Sequence, residues 1–145
     1  MLYLKWFWQQ KNLEKFKMSK QIRNLPSKDI KSFLNNNKNI ELLDVRTKEE
    51  WDQIGKPNGE ALGIKTHFIT IQRSPDPEAN KGFVAEVKNK ADIKKDLLII
   101  CRSGARSMMA AQLLSQEGFN CINISDGFEG NGEDQGWKNE NLPSS

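Results

Sequence analysis

One stretch constrains this chain more than any other: Asp96-Leu97-Leu98-Ile99-Ile100-Cys101-Arg102-Ser103-Gly104-Ala105-Arg106-Ser107. Four consecutive aliphatic residues, Leu97 to Ile100, leave no polar face, so they predict a strand buried on both sides, as in parallel sheets. The run stops at Cys101, and a short basic loop with one glycine follows. From Arg106 onward, Met109, Ala110, Leu113 and Leu114 recur at helical spacing, and Gly118 is placed to end that helix. Strand, tight loop and helix together put Cys101 at the carboxyl end of a central strand, under the first turn of a helix. In open α/β sheets that edge is where ligands bind.

The physics of such a loop favours a reactive sulfur. A helix N-terminus turns backbone N–H groups and the positive end of the helix dipole toward the loop centre. Arg102 and Arg106 add two fixed positive charges. The thiolate is the nucleophile, and electropositive surroundings favour it. A buried structural role is the commonest fate of a free cysteine. Such a cysteine needs neither two arginines nor a glycine directly after it.

The rest of the chain alternates between strand and helix patterns, which predicts an α/β fold. Ile22 to Leu25 fits a short edge strand. Ser27 is placed as the N-cap of a helix with Ile30, Phe33 and Leu34 on one face, stopped by three asparagines from Asn35. Ile40 to Val45 predicts a second apolar strand, and Thr47 with Glu50 forms a capping-box pattern for a helix from Lys48 to Ile54. Asp44 and Arg46 end that strand on the same edge as Cys101. They are expected to fix the turn through hydrogen bonds and an ion pair with Glu49 or Glu50, rather than to react. Thr66 to Ile71 alternates like a strand, Pro75 and Pro77 punctuate a loop, and Phe83 to about Asn89 fits a helix. Phe119 to Ile124 makes a last strand containing Cys121, a packing residue rather than a disulfide partner for Cys101. His67, the single histidine, is expected to fill a strand position or lie at the surface. Asp126 to Gly136 is acidic and glycine-rich but lacks calcium-loop spacing, so it predicts a turn-rich loop covered by Phe128 and Trp137. No zinc spacing occurs, and neither metal nor cofactor is expected.

Cys101 to Arg106 resembles the active-site loop of the rhodanese sulfurtransferases. Leu42 to Trp51, with its Asp-Val-Arg at 44 to 46, resembles the strand–turn–helix that these domains carry upstream. Ile122 to Phe128, with Trp137 beyond, is similar to the family's closing strand and loop. The three segments keep family order across about residues 22 to 140. The resemblance implies one rhodanese-like domain over residues 21 to 145, with a central, mainly parallel sheet of about five strands flanked by helices. It also implies sulfur transfer by double displacement: Cys101 takes the outer sulfur of a small anionic donor such as thiosulfate and passes it to a thiol or protein acceptor. Arg102, Ser103, Gly104, Ala105, Arg106 and Ser107 would frame the substrate, with Asp44 and Arg46 in support. Two arginines around the sulfur favour thiosulfate, a dianion, over mercaptopyruvate. Where many rhodaneses have Gly-His-Ile-Pro-Gly-Ala, this chain has Gly55-Lys56-Pro57-Asn58-Gly59-Glu60-Ala61-Leu62-Gly63, without the histidine.

Two other function classes compete. Cysteine phosphatases and arsenate reductases run Cys-x5-Arg, whereas Cys101 to Arg106 is one residue shorter, a smaller ring better suited to one sulfur than to a phosphate. A binding module that kept the fold and lost the chemistry is expected to lack the cysteine, which this chain has.

At 145 residues there is room for one domain with a real core. A formal charge of +3 is too small to argue for nucleic acid. Two cysteines make no disulfide framework, so a reducing compartment, the cytoplasm, is expected. Residues 1 to 20 stand apart: an apolar, aromatic start too short to span a bilayer, then Lys11, Lys15, Lys17 and Lys20. Contact with a membrane surface fits that composition. The preferred reading is a helix packed on the domain, or an extension upstream of a start at Met18.

Overall fold

The computed structural model describes residues 22–72 and 80–145. The expectations for residues 1 to 20, and for the loop around Pro75 and Pro77, lie outside the described residues.

Five strands form one sheet: β1 (Arg23–Leu25), β2 (Ile40–Asp44), β3 (Lys65–Phe68), β4 (Asp96–Ile100) and β5 (Cys121–Ile124). Their spatial order is β1-β5-β4-β2-β3, and every pairing is parallel. Among the described residues, four helices flank the sheet: α1 (Ile30–Asn36), α2 (Lys48–Ile54), α3 (Phe83–Lys90) and α4 (Ala105–Gln116). This is the α/β architecture expected from the strand–helix alternation. None of the helices among the described residues is long and apolar enough to cross a membrane.

β4 lies in the centre because both its faces are apolar. Leu97, Ile99 and Cys101 pack with α3 and α4 residues, including Phe83, Val87, Ala110, Ala111 and Leu114. Leu98 and Ile100 point the other way, against Ile30, Phe33 and Leu34 of α1 and against Phe128 and Trp137 of the C-terminal segment. Each such aliphatic side chain contributes roughly 1.5–3 kcal/mol by leaving water. The run Leu97 to Ile100 therefore fixes β4 between two layers, and the chain leaves the sheet where the run ends.

Some local expectations change in three dimensions. Ser27 does not cap α1; it lies in a 3-10 turn, Ser27–Asp29, and α1 follows an Asp29 N-cap without a side-chain cap bond. The buried face of α4 is narrower than its periodicity suggested: Ser107, Ala110, Ala111 and Leu114 are buried, whereas Met109 and Leu113 are exposed. The capping box at Thr47 forms as expected, with Thr47 and Glu50 each bonding the other's backbone N–H.

Candidate active site

The order in which strands are added reverses between β4 and β2, and at their carboxyl ends Val45 N–H donates to Ile100 O at 3.0 Å. Cys101 comes directly after Ile100. Its Sγ accepts the Gly104 N–H at 3.1 Å and lies 3.2 Å from Ser107 Oγ. α4 begins at Ala105, so the amides of its first turn have no acceptor within the helix. The ring around Cys101 is thus a short loop that brings one backbone donor, the Gly104 N–H, and the Ser107 hydroxyl to the sulfur at a helix N-terminus.

Two glycines make the ring possible. Gly104 has φ +108, and a Cβ there would stand 2.3 Å from Ser125 O. Gly127 has φ +62, and a Cβ there would stand 2.4 Å from the Arg102 carbonyl. The closing segment presses this tightly because it is bonded to the loop: Phe128 N–H donates to Cys101 O at 2.8 Å, and Glu129 N–H to Arg102 O at 2.9 Å. Asp126 holds that segment from below. Fully buried, it accepts Ser27 N–H and Ser27 Oγ–H on Oδ1 and Gly136 N–H on Oδ2, each at 2.9 Å.

Behind the sulfur, Ser107 Oγ also bonds Asn123 Oδ1 and the Gly104 carbonyl. The Asn123 amide donates to Asn24 Oδ1 at 3.0 Å and to Gly104 O at 3.3 Å. A serine hydroxyl carries one proton, so Cys101, Asn123 and Gly104 share a single donor there. The loop face of β5 is polar at Asn123 alone, where it meets this network.

The arginines behave differently from each other. Arg106 makes a two-pronged pair with Glu50, at 2.7 and 2.9 Å, and is about one-fifth exposed. Its pKa is raised mainly by those hydrogen bonds. Burial pushes the Glu50 carboxyl up, yet the bonds from Arg106 and Thr47 outweigh it and hold the group below the usual carboxylate value. Arg102 is largely exposed and pairs through Nε with Glu129 at 3.2 Å. Ser103 and Ala105 are exposed on the loop. A cleft of about 430 Å³ opens beside it, lined in part by Glu49, Glu50, Gln53, Arg102, Arg106 and Glu129.

Asp44 and Arg46 stay out of this cleft. They pair with each other, not with Glu49 or Glu50: Arg46 Nε and NH2 reach the Asp44 carboxylate at 2.9–3.1 Å, and both side chains are fully buried. NH2 also donates to Gly55 O, and the guanidinium lies over the Phe128 ring, 4.3 Å from its centroid. The pair braces the end of β2 against the closing segment. Arg46 NH1 has no hydrogen-bond partner among the described residues.

The remaining candidates lie elsewhere. His67 is buried, not at the surface, with Nε2 2.9 Å from Glu41 Oε1 near the amino end of β2, away from Cys101. Cys121 pairs with Leu97, four strand positions before Cys101. At about 3.3 Å per residue that is about 13 Å, twice the reach of a disulfide. Among the described residues, no group of three or more His, Cys, Asp or Glu side chains is arranged to hold a metal.

A five-stranded parallel sheet with a cysteine ring at the end of its central strand defines a rhodanese-like domain, and relatives bearing rhodanese-like names are among those this chain matches. A family model described as the STR4 middle domain matches residues 13–145, and the chain belongs to that family. It is 43% identical over 123 residues to an uncharacterized protein of Rickettsia conorii, covering 84% of this chain and 96% of that one. A protein named sulfurtransferase from Allochromatium vinosum is 29% identical over 108 residues, 74% of this chain and 85% of the relative. The crystal structure of Rv0390 from M. tuberculosis superposes with a TM-score of 0.74 at 29% identity, covering 84% of this chain and 96% of that one.

Proposed function

We propose that this chain is a sulfurtransferase that carries sulfane sulfur as a persulfide on Cys101. The observation that carries the reading is the pairing of Cys101 Sγ with the Gly104 N–H and Ser107 Oγ at the open N-terminus of α4. The Cys101 thiolate attacks the outer sulfur of thiosulfate or a similar donor; the donor's S–S bond breaks and its remainder leaves, sulfite in the case of thiosulfate. The outer sulfur of the new persulfide then stands among the free first-turn amides, which stabilise its charge. A thiol or protein acceptor attacks that sulfur and restores the Cys101 thiolate, which is covalent catalysis in two steps. Arg102, Ser103, Gly104, Ala105, Arg106 and Ser107 frame the donor, and Asp44 and Arg46 brace the frame.

Cys101 is almost fully buried, so only a protruding terminal sulfur reaches it. Both cysteines are unpaired, which supports a reducing setting, and the cytoplasm is the proposed one.

The test is intact mass spectrometry after exposure to sulfane-sulfur donors, thiosulfate among them. One added sulfur is expected on the wild-type protein, removable by cyanide or a reductant and absent from Cys101→Ser. A protein left unmodified by every donor is a binding module, not a transferase.

A further inference from the structure

The two guanidiniums that would attract an oxyanion each already carry a carboxylate partner. Arg106 gives both terminal nitrogens to Glu50, and Arg102 gives its Nε to Glu129. Glu50 is anchored besides, since the same carboxylate closes the capping box at Thr47. Glu49 lines the same cleft, is exposed, and has no ion-pair partner among the described residues. Three carboxylates thus share with two guanidiniums the cleft beside the Cys101 loop. An oxyanionic donor must compete with a carboxylate already paired to each arginine, in a cleft whose lining charges sum to a negative value.

We propose that Glu50 and Glu129 are specificity-determining residues. By occupying the loop arginines they bias the site away from oxyanions, so that its donor is a persulfide whose leaving thiol carries a cationic group. This rests on the sulfurtransferase reading above and narrows its donor. The step balances without an external oxidant or reductant. Cys101–S⁻ attacks the outer sulfur of R–S–SH, the donor S–S bond breaks as the Cys101 S–S bond forms, and R–S⁻ departs with the bonding pair. The transferred sulfur keeps its oxidation state and its proton. A positive group on R then sits beside Glu49 and Glu129 as the negative thiolate leaves toward Arg102.

The probes are cysteamine persulfide, which is cationic, 3-mercaptopropionate persulfide, similar in size and anionic, and thiosulfate. The readout is the rate of sulfur addition to Cys101 by intact mass at low ionic strength. Wild type is expected to react with the cationic persulfide at least about fivefold faster than with the anionic one, a ratio that shrinks as salt shortens the reach of surface charges. Glu129→Gln frees Arg102 and is expected to narrow that ratio and to speed thiosulfate about three- to tenfold. Glu49→Gln, which breaks no contact within the fold, is expected to narrow the ratio alone. Thermal melts of both variants confirm that they fold. Thiosulfate or the anionic persulfide reacting fastest with wild type overturns the donor assignment while leaving sulfur transfer intact, as does a ratio unchanged in both variants. Failure of all three donors to label Cys101 overturns the sulfurtransferase reading, and this proposal with it.

Discussion

Cys101 and Cys121 belong to the same apolar cluster on the same face of one sheet, and both are buried. Their chemistry diverges because the chain continues differently after each of them. Cys121 begins a strand, its sulfur has the Phe119 carbonyl at 3.9 Å as its hydrogen-bond partner among the described residues, and burial pushes its thiol pKa up to about 12. Cys101 ends a strand, so the chain is free to fold a ring of donors over it and to aim a helix N-terminus at it. Burial alone makes a cysteine inert. Burial beneath unspent backbone amides makes a site. The position of a cysteine relative to the end of its strand therefore matters more here than its exposure.

Removing each sulfur in turn is the sharpest way to test that difference. Cys101→Ser is expected to abolish persulfide formation and to lower transfer by more than about a thousandfold, since it removes the covalent intermediate itself. Cys121→Ala is expected to keep transfer within about twofold. Steady-state rates and intact mass of the two variants check this. A Cys121 variant as inactive as the Cys101 one would join the two cysteines in one mechanism.

The ring can also be broken while its sulfur is kept. Gly104→Ala places a Cβ against Ser125 O, a backbone atom that cannot yield, and is expected to displace the loop and lower the rate about a hundredfold, as misplacements near 1 Å do. Gly132→Ala is the control. Its φ is +93, so alanine suffers similar backbone strain, about 1–2 kcal/mol, but its Cβ meets nothing within 4 Å. The control is expected to lose stability and keep its rate. Equal rate losses in the two would mean that strain, not loop position, controls the chemistry.

The ring was largely legible from the sequence because its causes are local. An aliphatic run, a glycine and a helical pattern lie within a few residues of Cys101, and Thr47 and Glu50 are three residues apart. What the sequence hid are the long-range partners. Glu50 was visible as half of a capping box, but its pairing with Arg106 spans 56 positions, and no spacing rule reaches that far. Ser27 carried a capping signal, yet it lies in the 3-10 turn before α1 and its hydroxyl goes to Asp126, 99 positions away. Asp126 itself read as one acid among several in a turn-rich loop. Of the residues that fitted the helical period, Ala110 and Leu114 are buried and Met109 and Leu113 are exposed, while Ala111, outside that set, joins the buried face and allows close packing. Arg102 and Arg106 read as two free charges because their carboxylates come from distant segments, helix α2 and the closing segment.

Asp126 offers a milder way to loosen the ring. Asp126→Asn keeps the shape but turns one oxygen into an N–H2 that faces Ser27 or Gly136, donor against donor. A buried mismatch of that kind costs about 1–3 kcal/mol. Stability is expected to fall by that amount, measured by denaturant titration, and transfer about tenfold as the closing segment slackens against Arg102. Unchanged activity in a destabilised variant would show that the segment supports the fold and not the ring.

The smallest expected effect is on the inert cysteine, and pH reveals it. The Cys121 thiol titrates near 12 in the folded protein against an ordinary 9.0, with burial as the cause. A raised folded-state pKa means that the native protein holds a proton which the unfolded chain releases earlier. The stabilisation linked to that proton is fully present below about pH 9 and is lost progressively as pH rises from 9 toward 12. One proton of difference gives a slope of at most about 1.4 kcal/mol per pH unit in that window. Cys121→Ala lacks the group, so it is expected to cost about 1 kcal/mol at neutral pH. Above pH 9 its stability should decline less steeply than that of wild type. Denaturant titrations of both proteins at pH 7.5, 9 and 10 compare the slopes, and every other group is common to both. Parallel slopes would mean that the Cys121 sulfur reaches water in the native state, which would remove the physical basis for separating it from Cys101.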